Sequence, residues 1–319
     1  MIWVVEPGVP LASMGDPGDM YLDTVTGDVY GPKSASWGVP VINIMGPRGP
    51  IGVQGVTGQR GAQGPIGPQG PIGPCTCAYR GLNLSASGTD AIVHIGAEEL
   101  VLRDMTNSGL SLRSISSTVS TAVTGDGGLD NGTIAVDSWY AVFVIAKTNG
   151  TVSALLSSSL AAPALPDGYT FFTRVGWIRT DSSNKFPLGF TQYGRCVQYK
   201  ISSTGNLKAW PIASSGAIGA LTNPLTLRPV SVSGFVPPTA SHILLLVTGV
   251  YGASIFVTPN NDVSFSGWPQ SIAAFHVEGS NQNGYYYTRQ CSILLESTNY
   301  YVAQDNGAKT SVYGWEDNI

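Results

Sequence analysis

The chain has 319 residues, a net charge of −4 and only 11% charged residues, and it carries no basic run of the kind that contacts nucleic acid. Its most apolar stretch, residues 243–257, is too short and too glycine-broken to span a bilayer, so membrane insertion is not expected. Few charges combined with many glycine, serine, threonine and β-branched residues favour β-structure over exposed helices. The first residues lack the basic segment of a signal peptide, so we expect synthesis in the cytoplasm.

Residues 1–45 form an N-terminal module in this interpretation. Residues 20–22 and 28–30 have the pattern of two short strands around the turn sequence DTVTG, which predicts a β-hairpin. The apolar residues 1–10 before it suit docking onto a larger assembly, and the module is expected to attach the protein there. A hairpin of this size cannot hold a core alone, so we expect it to pack three ways or against another structure.

Residues 46–77 carry the strongest pattern, ten Gly-X-Y triplets that end in Cys-Thr-Cys. Only glycine fits at the axis of a collagen triple helix, so the strict period predicts such a helix and therefore a homotrimer. Proline occurs at X but never at Y, which indicates a maker without prolyl hydroxylase, a bacterium or its virus. The ten triplet glycines are Gly46, Gly49, Gly52, Gly55, Gly58, Gly61, Gly64, Gly67, Gly70 and Gly73.

The four cysteines fall into two groups. Cys75 and Cys77 lie where three chains of a triple helix would meet, which favours interchain disulfides at that end. Free thiols and a cluster that binds a soft metal ion are the alternatives. Cys196 and Cys291 are expected as buried thiols in strands, with one disulfide between them as the alternative.

The rest of the chain predicts two β-rich domains, residues 78–208 and 209–319. The stretch 139–146, the turn residues Asn149 and Gly150, and the stretch 151–156 predict a β-hairpin. Regular short strands with glycine turns favour a β-sandwich or jelly-roll-like architecture. The stretch 96–104 allows either a short helix or a strand edge.

Three segments resemble collagen-repeat-containing bacteriophage tail and virion fibre proteins. GDMYLDTVTGDVYGP followed by Gly-X-Y triplets resembles the N-terminal stretch of such proteins. NGTIAVDSWYAVFVI with LLSSSLAAPALPDGYTFFTRVGWIRTD resembles a module of phage structural proteins, and SVYGWEDNI resembles the end of that module. The resemblance implies a trimeric appendage on tail, collar or capsid, attached by its N-terminus with the C-terminal end outward. It carries over no catalytic residues.

The sequence predicts no enzyme. The zinc motif H-E-x-x-H and the nucleophile motif G-x-S-x-G are both absent, and no two of His94, His242 and His276 lie within four residues. His276 shares a strand face with Glu278, so three copies could form a metal site on an axis, but we expect a packed strand residue. No catalytic residue, metal site or cofactor is therefore predicted.

A binding role is indicated instead by tyrosines beside turns, because a tyrosine offers an apolar face with a polar tip. The expected function is a structural virion fibre, assembled in the bacterial cytoplasm, whose head binds a host surface glycan or protein. The alternatives are packing of these tyrosines along the trimer interface, a bacterial surface adhesin with a collagen stalk, and a purely structural fibre without a receptor. The candidate receptor contacts are Tyr285, Tyr286, Tyr287, Tyr300 and Tyr301.

Overall fold

The computed structural model describes residues 1–46, 49, 79–221, 225–250, 252–261, 275–278 and 287–319, with backbone only for 275–278. These residues are mainly β and include no helix, so none of them forms a helix that could cross a membrane. Contacts divide the chain into two compact units, Met1–Pro68 and Gln69–Ile319. The glycines from Gly52 to Gly73, and both Cys75 and Cys77, lie outside the described residues, so the triple helix and its disulfides stay predictions.

The first unit contains a four-stranded sheet in the order β1-β2-β3-β4. Strand β1 pairs parallel to β2, and the other neighbours pair antiparallel. The predicted hairpin at residues 20–30 is confirmed as β2 and β3. The strands are β1 (Trp3–Glu6), β2 (Met20–Asp23), β3 (Asp28–Tyr30) and β4 (Ile42–Asn43).

Asp23 determines the turn of this hairpin. Its carboxylate accepts hydrogen bonds from the backbone N–H groups of Val25 and Gly8, both at 2.8 Å, and from the Thr26 hydroxyl at 2.9 Å. The bond from Val25 is the largest influence and holds the pKa of Asp23 below its usual value despite burial. One side chain therefore closes the turn and fixes the chain that follows β1.

A small aromatic core covers one face of this sheet. The Tyr21 ring lies 6.1 Å from Tyr30 and 5.6 Å from Trp37, in edge and tilted arrangements that aromatic pairs prefer. The Lys33 ammonium lies 5.5 Å from the Trp37 ring and donates to three backbone carbonyl oxygens, including that of Met14 at 2.7 Å. The cation is thus satisfied by the loop that it fastens over the sheet.

The second unit contains a large sheet of thirteen strands. Its main path runs β10-β9-β11-β7-β6-β12-β13-β21-β16-β19, while β5 and β8 pair with β7, and β14 pairs with β21. The strands are β5 (Tyr79–Arg80), β6 (Asn83–Ala86), β7 (Ile92–Arg103), β8 (Gly109–Ser120), β9 (Trp139–Ala146), β10 (Val152–Ser157), β11 (Phe171–Arg179), β12 (Phe190–Tyr193), β13 (Cys196–Tyr199), β14 (Ile212–Ser215), β16 (Ala240–Gly249), β19 (Tyr287–Leu294) and β21 (Ala308–Asp317).

A second sheet of this unit has the order β15-β20-β17-β18. One of its faces places Ile255, Val257 and Val302 in the main core, against residues of the large sheet such as Leu245. Its other face forms a separate small cluster that includes Ala303. The strands are β15 (Arg228–Ser231), β17 (Ser254–Thr258), β18 (Phe275–Glu278) and β20 (Asn299–Gln304).

The sequence pattern of residues 139–156 correctly predicted two strands and the turn between them. The predicted hairpin is confirmed, because β9 and β10 pair antiparallel and Gly150 adopts a positive φ of 86° in the turn between them. Strand β9 is buried on both faces, with Val142 and Val144 in the main core and Phe143 in a second cluster. The stretch 96–104 lies largely in strand β7, so the helix alternative was wrong there.

The main core joins residues from both sides of the boundary expected at 208 and 209. Strand β13 pairs with β21, and Val197 lies opposite Trp315. The Trp315 ring lies 5.3 Å from Tyr199 and 5.5 Å from Trp139. The expected boundary therefore falls inside one compact unit and one continuous sheet.

A buried ion pair holds the end of the chain. The Asp317 carboxylate, which is fully buried, lies 2.5 Å from the Arg174 guanidinium and accepts a hydrogen bond from the Thr239 hydroxyl. Arg174 also donates to the carbonyl oxygen of Asn318 at 2.6 Å. Removing one partner of such a pair would leave an uncompensated buried charge. The last residues are thus tied to strand β11.

The remaining two cysteines are free thiols, so the alternative of a disulfide between them was wrong. Cys196 on β13 lies opposite Glu316, whereas Cys291 on β19 lies opposite Leu245, and the two strands β21 and β16 separate β13 from β19. Cys196 is exposed, which corrects its expected burial, and Cys291 is half-buried. Burial raises the pKa of the Cys291 thiol to about 12.

Gly314 on β21 offers a test of the pairing between the two halves of this unit. A Cβ atom there would lie 2.1 Å from the carbonyl oxygen of Val197, so Gly314→Ala should lower the free energy of unfolding by about 1–3 kcal/mol in urea denaturation. Gly234→Ala is the control, because nothing lies within 4 Å of its Cβ position, and its effect should stay within about 0.5 kcal/mol. Equal effects of the two substitutions would contradict the pairing of β13 with β21.

Candidate functional site

The structure divides the five candidate tyrosines. Tyr285 and Tyr286 lie outside the described residues, so their role stays a prediction. Tyr287 is half-buried at the start of β19, and its hydroxyl donates to the carbonyl oxygen of Ala253 at 2.8 Å. Its ring lies so close to Gly249 that a Cβ atom there would approach it to 2.1 Å. Burial, and to a smaller extent the Asp305 carboxylate, raise the pKa of the Tyr287 phenol.

The prediction that Tyr300 contacts a receptor was wrong, because its side chain is fully buried. Its hydroxyl lies 2.6 Å from the Thr310 hydroxyl, which in turn lies 2.7 Å from that of Ser214. Ser214 also donates to the Gln304 side chain, and the Gln304 amide donates to two backbone carbonyl oxygens. This connected polar network is satisfied within the core and cannot reach a ligand.

Tyr301, the next residue on β20, points to the opposite side of its sheet. It is half-buried and packs against the small cluster of Leu227, Phe256 and Ala303. Neighbouring tyrosines therefore have different environments, because successive side chains of a strand point to opposite faces. Tyr287 and Tyr301 both keep an exposed part, and their contact with a receptor stays a prediction.

A polar groove of about 450 Å³ lies at the end of the large sheet where β16 ends and β19 begins. Its base is a row across three adjacent strands, in which Thr248 on β16 lies between Lys309 on β21 and Thr288 on β19. Ser215 and Asn306 extend its lining. We call this surface the threonine groove.

The side chains of the threonine groove supply hydrogen-bond donors and acceptors without an acid-base pair. Hydroxyl groups both donate and accept, the Asn306 amide does the same, and the Lys309 ammonium only donates. The Thr248 hydroxyl oxygen is buried and makes no hydrogen bond within the described part of the chain. The described lining includes no carboxylate and no imidazole, and its hydroxyl, amide and ammonium groups suit hydrogen bonding to a hydroxyl-rich molecule.

The three histidines, His94, His242 and His276, lie on different strands. His94 is exposed on β7 beside Thr118 of β8. The His242 ring nitrogen lies 3.6 Å from the Glu316 carboxylate on the outer side of the sheet. His276 lies in the backbone-only strand β18, so its side chain is not described. No group of three potential metal ligands occurs among the residues that were described with side chains.

The polar loop after β11 is held rigidly by Asp181. Burial opposes ionisation of this carboxyl, but bonds from the Asn206 amide and from three backbone N–H groups outweigh it and lower its pKa. The three groups belong to Ser183, Asn184 and Lys185, at 2.7–3.0 Å. The loop therefore presents fixed polar atoms, although its central carboxylate is already used.

Comparison with known proteins does not assign this chain to a family, because no family model matches it and no curated protein resembles it closely enough to count.

The threonine groove was not predicted from the sequence. Thr248, Thr288 and Lys309 are far apart in the sequence and have ordinary strand patterns, so only the register of three strands brings them together.

The buried position of Tyr300 makes a pH-dependent prediction. Burial raises the pKa of Tyr300 to about 12, so its neutral phenol contributes stability that is complete below the unfolded value of about 10 and is lost as the pH rises towards 12. Tyr300→Phe should cost about 1 kcal/mol at pH 7, since Thr310 loses a partner, and should weaken the decline in stability between pH 10 and 12. Urea denaturation across this pH range measures both effects.

Tyr301→Phe is the matched control, because it removes a hydroxyl from the next residue without touching the buried network. It should leave the stability at pH 7 nearly unchanged. Identical behaviour of the two variants would show that the Tyr300 hydroxyl does not take part in the network.

Proposed function

We propose that this chain is a phage virion fibre, a homotrimer with three functional parts. Residues 1–45 attach to the particle, residues 46–77 form a collagen-type triple helix, and the C-terminal unit forms a sandwich-like β head that faces outward. The observation that carries the proposal is the unbroken glycine period from Gly46 to Gly73, which stands in the sequence between strand β4, ending at Asn43, and strand β5, beginning at Tyr79. Ordinary flexible linkers have no reason to keep glycine in phase over ten triplets.

The stalk acts by geometry. At a rise of about 3 Å per residue, its triplets hold the head roughly 90 Å from the attachment module. Three heads on one stalk present three copies of the same surface. Weak contacts with a host surface then combine through avidity, because the second and third contacts form within one molecule.

The threonine groove is the contact surface that we assign to the head. Its hydroxyl, amide and ammonium groups match the hydroxyl-rich surface of a host glycan, because both partners can donate and accept hydrogen bonds. Tyr287 is not part of this surface, since its ring points to the other face of the strand and packs against the main core.

Competition for host adsorption tests this function. The purified protein should block adsorption of the phage that carries it, and Lys309→Ala or Thr288→Ala should weaken that block at least tenfold, or about 1.4 kcal/mol. Lys200→Ala is the control, because Lys200 is equally exposed but lies outside the groove lining. Antibodies against the head should label intact particles.

Three outcomes would contradict the proposal in different ways. Labelling of bacterial surfaces without particles would indicate an adhesin. Labelled particles whose adsorption the wild-type protein does not block would indicate a purely structural fibre. Degradation of host polysaccharide by the purified protein would indicate an enzyme.

A further inference from the structure

One face of the N-terminal sheet is apolar in every strand. The register places Val5, Leu22, Val29 and Ile42 directly opposite one another, so that a single apolar row crosses β1, β2, β3 and β4. In the neighbouring row, Trp3 lies opposite Met20. We call these six residues the bare face. Its aromatic counterpart, with Tyr21 and Tyr30, is the covered side of the same sheet.

The bare face is open at both edges of the sheet. Trp3 and Val5 on one edge strand are 56% and 54% exposed, and Ile42 on the other edge strand is 59% exposed. Only the central Val29 is buried, at 3% exposure. The strongly exposed apolar side chains thus lie on the two edge strands, β1 and β4. Exposed clusters of large apolar residues mark contacts with another surface.

The position of Ile42 in the chain indicates what covers this face. Ile42 stands four residues before Gly46, the first triplet glycine. If the repeat winds three chains together, each Gly46 lies at their common axis, and four extended residues reach at most about 14 Å. Three copies of Ile42 must then lie close to one axis, so three bare faces are brought together at the start of the stalk.

We propose that the bare face is the contact surface between three copies of the N-terminal module, and that it forms a hydrophobic clamp on the collagen repeat. This inference rests on the proposed three-chain stalk. The face suits its own copies because its six side chains carry no charge that would need a partner, so identical faces can meet around a three-fold axis. Attachment to the particle is then left to other exposed apolar residues, such as Val9, Leu11 and Val39.

Thiol labelling in the full chain tests the clamp. In a background with all four cysteines replaced by serine, Ile42→Cys and Val5→Cys probe the two edges of the bare face. Val25→Cys is the control, because Val25 is 64% exposed in the β2–β3 turn and lies outside the face. A bulky maleimide should label Ile42→Cys and Val5→Cys at least tenfold more slowly than Val25→Cys, and all three should label fully after denaturation.

The mass of each unlabelled sample in solution separates the two levels of the argument. A mass of three chains with slow labelling of both face variants supports the clamp. A mass of three chains with equal labelling of face and control variants overturns the clamp but leaves the three-chain stalk intact, and it would indicate that a virion protein covers the face instead. A single-chain mass that is found both in these samples and in the wild-type chain, which keeps Cys75 and Cys77, overturns both.

Discussion

Strand β21 is the element on which the C-terminal unit depends, because its partners come from distant parts of the chain. It pairs with β13 on one side, and on the other it pairs with β16. Its Trp315 belongs to the main core, and the buried carboxylate of its last residue, Asp317, pairs with the half-buried Arg174. The pairing requires glycine at position 314, where the backbone of Val197 leaves no room for a side chain. The ten residues of β21 thus join both halves of the C-terminal unit into one sheet.

Short-range features could be predicted from the sequence, and long-range ones could not. Turns such as Asn149-Gly150 have a local conformational cause, because glycine adopts the positive φ that the turn requires. The apolar pattern of the flanking strands follows from burial of one or both of their faces. Strand β21 pairs with β13, which lies more than a hundred residues earlier in the chain, and packing rather than local sequence decides this pairing. For this reason a proline-containing stretch near residue 209 resembled a domain boundary. The prediction that Tyr300 contacts a receptor was wrong for a related reason. A tyrosine next to a turn is compatible with a surface or with a buried network, and only its position opposite Thr310 distinguishes them.

Both compact units contain sheets with apolar faces and few charges, but they differ in which of these faces they bury. The head buries its apolar strands within one chain, and it keeps a polar groove at one end of the large sheet. The N-terminal sheet covers one face with three aromatic rings and leaves the other bare. In the proposed fibre this difference has a mechanical reason, because the N-terminal module begins a three-chain stalk and needs the other chains to complete its packing.

The central claim is that the glycine period reflects a triple helix, and thermal melting followed by circular dichroism tests it most directly with two adjacent substitutions. In such a helix Gly64→Ala would place a side chain at the crowded axis, whereas Gln63→Ala would change the neighbouring Y position, which would face outward. We predict a positive collagen-type band in the full chain, whose melting temperature falls in Gly64→Ala and stays close to the wild-type value in Gln63→Ala. Absence of the band, or equal melting of the two variants, would contradict the account.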